Sequence, residues 1–157
     1  MLERFNYSAA LYLSALIAVV HWSFVVYAQW YLPRLGYGIA IYGVGALVIL
    51  AGLWLQSRIA RYAGAAFYLL CGAAAVIALW GFDKPVNVTV VWAVATAVLS
   101  PVAAAILVFS KSFAREFAAE REKRPPYKKH LLNAFNFVIV LATTAGILID
   151  IVHFASN

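Results

Sequence analysis

The 157-residue chain is strongly apolar: 66% of its residues are hydrophobic and 11% are charged, with a formal net charge of +6. A soluble domain usually has about 45–50% apolar and about 25% charged residues, and a fold this small could not bury such an excess. Composition therefore excludes an ordinary soluble domain. It predicts a single transmembrane domain over residues 1–157.

Five stretches without an acidic or basic residue follow one another along the chain. Each has about the 20 residues that a helix needs to cross a bilayer. They occupy residues 5–33, 35–57, 62–82, 85–110 and 131–149. Strict alternation of apolar and polar residues is absent, so helices are the spanning structure that satisfies the backbone in lipid. We predict an all-α polytopic membrane protein with helices near residues 7–32, 37–56, 61–82, 87–124 and 131–154.

The placement of Lys and Arg predicts the orientation. Arg4, Arg58, Arg61 and the seven basic residues of segment 111–130 fall on one side of the five spans, and Arg34 and Lys84 on the other. In membrane proteins, Lys and Arg are enriched in the loops on the cytoplasmic side. We therefore predict a five-transmembrane-helix bundle, N-in and C-out, in the plasma membrane, specifically the bacterial cytoplasmic membrane. The basic excess is local, so it does not indicate nucleic-acid binding.

Small residues recur every seven positions on the second and third helices. If the hairpin turns at Arg58, small residues face each other at three levels, with Gly45 opposite Cys71. Close backbone approach is a main source of helix association in lipid. The alternative is that glycine is merely frequent in membrane helices. The six predicted packing positions are Gly38, Gly45, Gly52, Gly64, Cys71 and Ala78.

A second feature is a set of polar residues near the middle of the spans. At about 1.5 Å per residue, His21, Ser100, Thr143 and Thr144 share a depth. We predict that His21 points into the bundle and hydrogen-bonds the fourth or fifth helix. It is either a neutral structural bridge or a ligand or proton site, because ionisable residues inside membranes are functional candidates.

Asp150 and His153 lie one turn apart at the outer end of the fifth helix. They form either a helix-end polar pair or part of a site. The chain's histidines lie at three different depths, which argues against a pair of axial haem ligands. We expect no cofactor and no metal site.

The segment after the fourth span continues a stripe of aromatic residues out of the membrane. Phe113 and Phe117 stand one turn apart, and Pro125-Pro126 is expected to end the helix. This arm is expected to touch anionic headgroups or to dock on a partner. Its contact residues are predicted to be Phe113, Phe117, Arg121, Lys123, Arg124, Lys128 and Lys129.

No catalytic motif stands out, since acid–base and nucleophilic chemistry need partnered groups within hydrogen-bond reach. We expect a non-enzymatic, accessory subunit of a larger membrane complex. Its partners are expected to be membrane lipids and other subunits or copies of itself. The alternative is a small carrier or binder of an apolar molecule, a lipid or a quinone, at His21. A cavity reaching His21 would favour the binder, and a filled bundle would favour the subunit.

Overall fold

The computed structural model describes residues 5–31, 33–80 and 87–139, and only the backbone over residues 33–39. This part of the chain is all-α. Its helices are α1 (Tyr7–Tyr31), α2 (Pro33–Trp54), α3 (Arg58–Trp80), α4 (Val88–Phe109) and α5 (Lys111–Glu122). A further helix, α6, begins at residue 126 and runs to residue 139, where the described part ends.

The first four helices form an up-and-down bundle in which neighbours in sequence are neighbours in space. α1 packs against α2 and α4, and α3 packs against α4 and less extensively against α2. α5 crosses one end of the bundle, against α1 and α4. That end gathers the start of α1, the end of α2, the start of α3 and the end of α4. We call it the basic end, because the Lys and Arg residues of α5 and the start of α3 lie there.

Three of the described helices are long and apolar enough to cross a membrane. α1, α3 and α4 have mean hydropathies of 2.0, 1.9 and 2.2 over their best windows. The apolar part of α2 that is described with side chains, Ala40–Trp54, is shorter. A membrane protein with helical spans therefore follows from the described residues, as the composition predicts.

A serine interrupts the helix that the sequence predicts over residues 87–124. Ser110 adopts an extended conformation, its N–H donates to the Ile106 carbonyl, and its hydroxyl accepts from the Phe113 N–H at 3.2 Å. It therefore ends α4 and begins α5. Serine is favoured at the first position before a helix because its oxygen satisfies an otherwise unpaired N–H. α5 ends before Pro125, as predicted.

The heptad pairing predicted for α2 and α3 is wrong in register. A Cβ atom on Gly45 would lie 2.7 Å from the Phe67 ring, one on Gly64 would lie 2.8 Å from Ile49, and Gly52 faces Ala60. The reversal is centred on Gln56, whose φ of 53° is left-handed, and not on Arg58. This two-residue difference places Phe67, not Cys71, opposite Gly45. Ala78 is exposed, and the side-chain environment at Gly38 lies outside the described residues.

α3 also approaches α4 closely, at Gly72. A Cβ atom on Gly72 would lie 2.8 and 2.9 Å from two ring carbons of Pro101. Because α4 carries this proline in its interior, the missing side chain of Gly72 makes room for the rigid ring. Small residues also fill the α1–α4 contact, where Ala10, Ala18 and Ala93 are at most 3% exposed.

Candidate functional site

His21 is enclosed by aromatic side chains from three helices. It is 1% exposed. Its ring centroid lies 5.8 Å from the Trp92 ring and 6.3 Å from the Tyr42 ring. One turn further along α1, Phe24 stacks on Trp92 at 4.4 Å. The prediction that His21 points into the bundle is confirmed, and its surroundings are tightly packed.

The hydrogen bond of His21 differs from the predicted one. Nδ1 lies 3.0 Å from the carbonyl oxygen of Ile17 on its own helix. A carbonyl can only accept, so Nδ1 carries the proton, and in the neutral ring Nε2 is an acceptor. α1 and α4 are antiparallel with His21 at the level of Trp92, so Ser100 lies about two turns away. Span midpoints alone overestimate how closely these residues approach.

Seven buried polar atoms have no hydrogen-bond partner among the described residues. All but one are on α1 and α4, and they are Ser14 Oγ, His21 Nε2, Trp22 Nε1, Tyr68 OH, Trp92 Nε1, Thr96 Oγ1 and Ser100 Oγ. Leaving such a group unpaired costs about 1–3 kcal/mol, and native proteins keep only a few. The sequence therefore places more hydrogen-bonding capacity here than the described helices use.

These groups form a column through the middle of the bundle. Ser14 and His21 are two turns apart on one face of α1, and Thr96 and Ser100 are one turn apart on the facing side of α4. Tyr68 reaches them from α3, and its hydroxyl lies near the Ser14 hydroxyl without the geometry of a hydrogen bond. Each of the five is at most 2% exposed. We call these five residues the polar column.

Other predicted site residues lie elsewhere. Thr143, Thr144, Asp150 and His153 fall outside the described residues. Cys71 is a buried free thiol. The described residues contain no group of three side chains suited to hold a metal ion.

A second polar cluster, at the basic end, is fully hydrogen-bonded. Gln56 Nε2 donates to the Trp54 carbonyl at 2.8 Å and to the Tyr7 hydroxyl at 3.2 Å, and that hydroxyl donates to Leu53 O at 2.7 Å. Arg124 donates to the side-chain and main-chain oxygens of Gln56 at 3.2 and 2.8 Å. We call Tyr7, Gln56, Glu116 and Arg124 the collar.

The collar also caps helix ends. Glu116 of α5 accepts from the Tyr7 N–H at 2.9 Å, so a carboxylate pairs with a free N–H at the start of α1. Outside the collar, Arg61 caps α4 in the same way: it donates to the Leu107 carbonyl at 2.7 Å, one of the acceptors left without an intrahelical donor at the end of that helix. Burial, and then the neighbouring Arg121 charge, lower the pKa of Arg124, which stays protonated at neutral pH because arginine starts above 12.

The prediction that Phe113 and Phe117 contact a partner is wrong. They are 0% and 3% exposed and pack against the Tyr7 ring at 6.2 and 5.9 Å. The break at Ser110 turns α5 across the bundle, so the aromatic stripe faces inward. Arg124 is likewise internal, at 9% exposure.

The remaining basic residues of the predicted contact set are at the surface. Lys123 and Lys129 are exposed and Arg121 is partly exposed. Lys128 places its ammonium 4.1 Å from the centroid of the Trp54 ring, a cation–π contact, and 3.4 Å from the Trp54 carbonyl oxygen.

The sequence indicates His21, Ser100 and Arg124, but not the other members of the two clusters. Gln56 reads as an ordinary polar residue in a turn, and a left-handed glutamine has no sequence signal. Threonine and tyrosine are common in apolar helices, so Thr96 and Tyr68 do not stand out in the sequence. The spacing of Ser14 and His21, seven residues apart, was the one available signal for a polar face on α1.

We compared the chain with known proteins at the level of families, sequences and structures. No family model matches the chain, and no curated protein and no solved structure matches it.

Proposed function

We propose that this protein is a polytopic plasma-membrane protein with five spans, N-in and C-out, and a non-catalytic accessory subunit of a larger membrane complex. The arrangement at the basic end supports the orientation. Arg58 and Arg61 at the start of α3 share that end with Lys111 at the start of α5. Their common location matches the cytoplasmic face of a membrane protein.

The observation that carries the subunit proposal is the packing around His21. A carrier or binder at this depth needs a cavity of about 300–1,000 Å³ around its polar anchor. His21 is 1% exposed and lies between the Tyr42 and Trp92 rings. Among the described residues, a groove between α1 and α2 and another between α1 and α4 are both lined by residues other than His21.

The outer face of α3 supplies a surface for helix contact. Ala10 and Ala18 of α1 and Ala93 of α4 are buried inside the bundle, so they offer no surface to a partner. α3 instead exposes alanines that alternate with Leu70 and Ile77, which are 69% and 70% exposed. Small residues among branched ones permit close approach of a neighbouring helix. The exposed alanines are Ala63, Ala66, Ala73, Ala74 and Ala78.

The experiment is mild-detergent purification of the tagged protein from its native membrane. We expect a stoichiometric membrane partner that is lost in Ala73→Leu, because a larger side chain separates the helices. The matched control is Val98→Leu on α4, where the wild-type side chain is 58% exposed. Both variants should unfold at the wild-type temperature. A monodisperse monomer that retains a bound small molecule would overturn the proposal.

The polar column favours one second candidate, a binder of an apolar molecule with a hydrogen-bonding head. Because Nε2 of His21 is an acceptor, its ligand must donate a hydrogen bond. This selects a hydroxyl-bearing lipid or a quinol over a quinone. Adding a short-chain quinol should then raise the unfolding temperature of the wild type but not of His21→Phe, while the matching quinone should have less effect. Equal shifts in both proteins would refute the binder.

A further inference from the structure

A long groove lies on the membrane-facing side of the bundle between α1 and α2. It has a volume of about 590 Å³. Its walls are apolar, and its lining residues are Leu11, Tyr12, Ala15, Leu47, Leu50, Ala51 and Trp54. From Leu47 to Trp54 it spans seven residues, or about 10 Å along the helix axis. The groove is open at the side, so a lipid chain can enter it from the bilayer.

The end of this groove carries a positive charge. Trp54, the last residue of α2, forms the groove wall at the basic end, and the Lys128 ammonium lies 4.1 Å from the centroid of its ring. An ammonium has three N–H donors, and the Nζ atom of Lys128 lies 3.4 Å from the Trp54 carbonyl oxygen, to which it donates. No carboxylate among the described residues lies within ion-pair distance of Lys128, so the cation can meet an anion at the groove mouth.

The collar holds this cation in place. The Trp54 carbonyl also accepts from Gln56 at 2.8 Å, and Gln56 in turn accepts from Arg124. Lys128 follows Pro125-Pro126 at the start of α6, where the chain's direction is restricted. The groove mouth is therefore built by three helices.

We propose that the α1–α2 groove is a binding site for an anionic phospholipid, with one acyl chain along the groove and the phosphate against Lys128. An acyl chain gains little by leaving other lipid chains for an apolar groove, because both surroundings are apolar. Selectivity must then come from the headgroup. Trp54 and Tyr12 suit the boundary between chain and headgroup, where aromatic residues with a polar tip are enriched. The site is independent of the subunit function, and orientation determines only which leaflet supplies the lipid.

The test is native mass spectrometry of the detergent-purified chain titrated with dioleoyl phosphatidylglycerol or dioleoyl phosphatidylcholine. We expect the anionic lipid to bind at least fivefold more tightly. A basic residue near a lipid surface contributes about 1 kcal/mol, which is about fivefold in affinity. Lys128→Gln should therefore weaken phosphatidylglycerol binding about fivefold, and Lys128→Arg should retain it.

Lys129→Gln is the matched control, because it removes the same charge from an exposed neighbour that does not contact Trp54 in the described residues. It should change the affinity less than twofold. Ala15→Leu, which fills the groove, should weaken binding with Lys128 intact. Equal losses for the two lysine variants would show unspecific attraction and overturn the site. So would equal binding of both lipids, or full competition by glycerol phosphate without acyl chains.

Discussion

Two substitutions of Gln56, by alanine and by glycine, distinguish the stability that the collar's hydrogen bonds contribute from the backbone strain of the turn. Gln56 is 3% exposed and its side chain joins Tyr7, Trp54 and Arg124. Gln56→Ala removes two neutral hydrogen bonds, each about 0.5–1.5 kcal/mol, and one to a charged group, about 1.5–3 kcal/mol. Since two of the three are long, at 3.2 Å, we expect a loss of about 2–4 kcal/mol in the free energy of unfolding.

Gln56→Gly loses the same side-chain bonds but relieves the backbone. A left-handed conformation costs a non-glycine residue about 1–2 kcal/mol, and the greater chain entropy of glycine offsets about 0.5–1 kcal/mol of the gain. Gln56→Gly should therefore be more stable than Gln56→Ala by about 0.5–1 kcal/mol.

Thermal unfolding in mild detergent, followed by circular dichroism, measures both variants. About 2–4 °C per kcal/mol applies to a chain of this size, so Gln56→Ala should unfold about 5–15 °C below the wild type and Gln56→Gly a few degrees above Gln56→Ala. An alanine variant within 1 °C of the wild type would show that the collar contributes nothing. A glycine variant below the alanine one would refute the strained turn.

Two further predictions concern topology and packing. Reporter fusions at Asn157 and within segment 111–130 should give opposite sides of the membrane, because the basic residues favour the cytoplasm; both reporters on one side would exclude five spans. Gly72→Ala should lower the free energy of unfolding by about 1–3 kcal/mol through overpacking against the Pro101 ring. Gly45→Ala should lose less, since its neighbour is the tip of a rotatable Phe67 ring, and equal losses would contradict the close approach at Gly72.

The sequence predicts the helices well because hydropathy acts over whole segments. α1 starts at its predicted residue, α4 starts one residue after its own, and α3 starts three residues before its own. Sequence-based prediction fails where a single residue determines where a helix ends or where the chain reverses. Ser110 divides a helix by capping it, and Gln56 shifts the α2–α3 register by two residues on each helix. A periodic pattern of small residues carries no information on where the chain reverses, so it does not determine which residues of α2 and α3 face each other.

The sequence indicates that His21 is an important polar residue, but it does not indicate which residues surround it. His21 stands out because an ionisable residue in a long apolar segment is expensive. Its neighbours Tyr42 and Trp92 belong to other helices, and only the packing of α1 between α2 and α4 brings them to it. The spacing of Phe113 and Phe117 predicts that they share one face of a helix. Its inward direction follows from the break at Ser110.

The contrast between the collar and the polar column gives a last prediction. The collar lies near water, where leaving a polar group without a hydrogen bond costs the least free energy, and yet its groups are hydrogen-bonded. Thr96 and Ser100 lie in the middle of the bundle, where that cost is highest, and they have no hydrogen-bond partner among the described residues. If these hydroxyls have no function beyond the fold, a residue of equal shape without a hydroxyl should give a protein of equal or higher stability, because the penalty for burying an unpaired hydroxyl disappears. Thr96→Val should then leave the free energy of unfolding unchanged or raise it by about 1 kcal/mol.

Thermal unfolding of Thr96→Val, beside Thr89→Val near the start of α4 as the matched control, decides between the two roles of the column. A stable Thr96→Val protein that loses its membrane partner, or its response to a quinol, assigns the hydroxyl to function. A loss above about 1 kcal/mol in unfolding free energy would instead mean that Thr96 is hydrogen-bonded within the fold and that the column is structural.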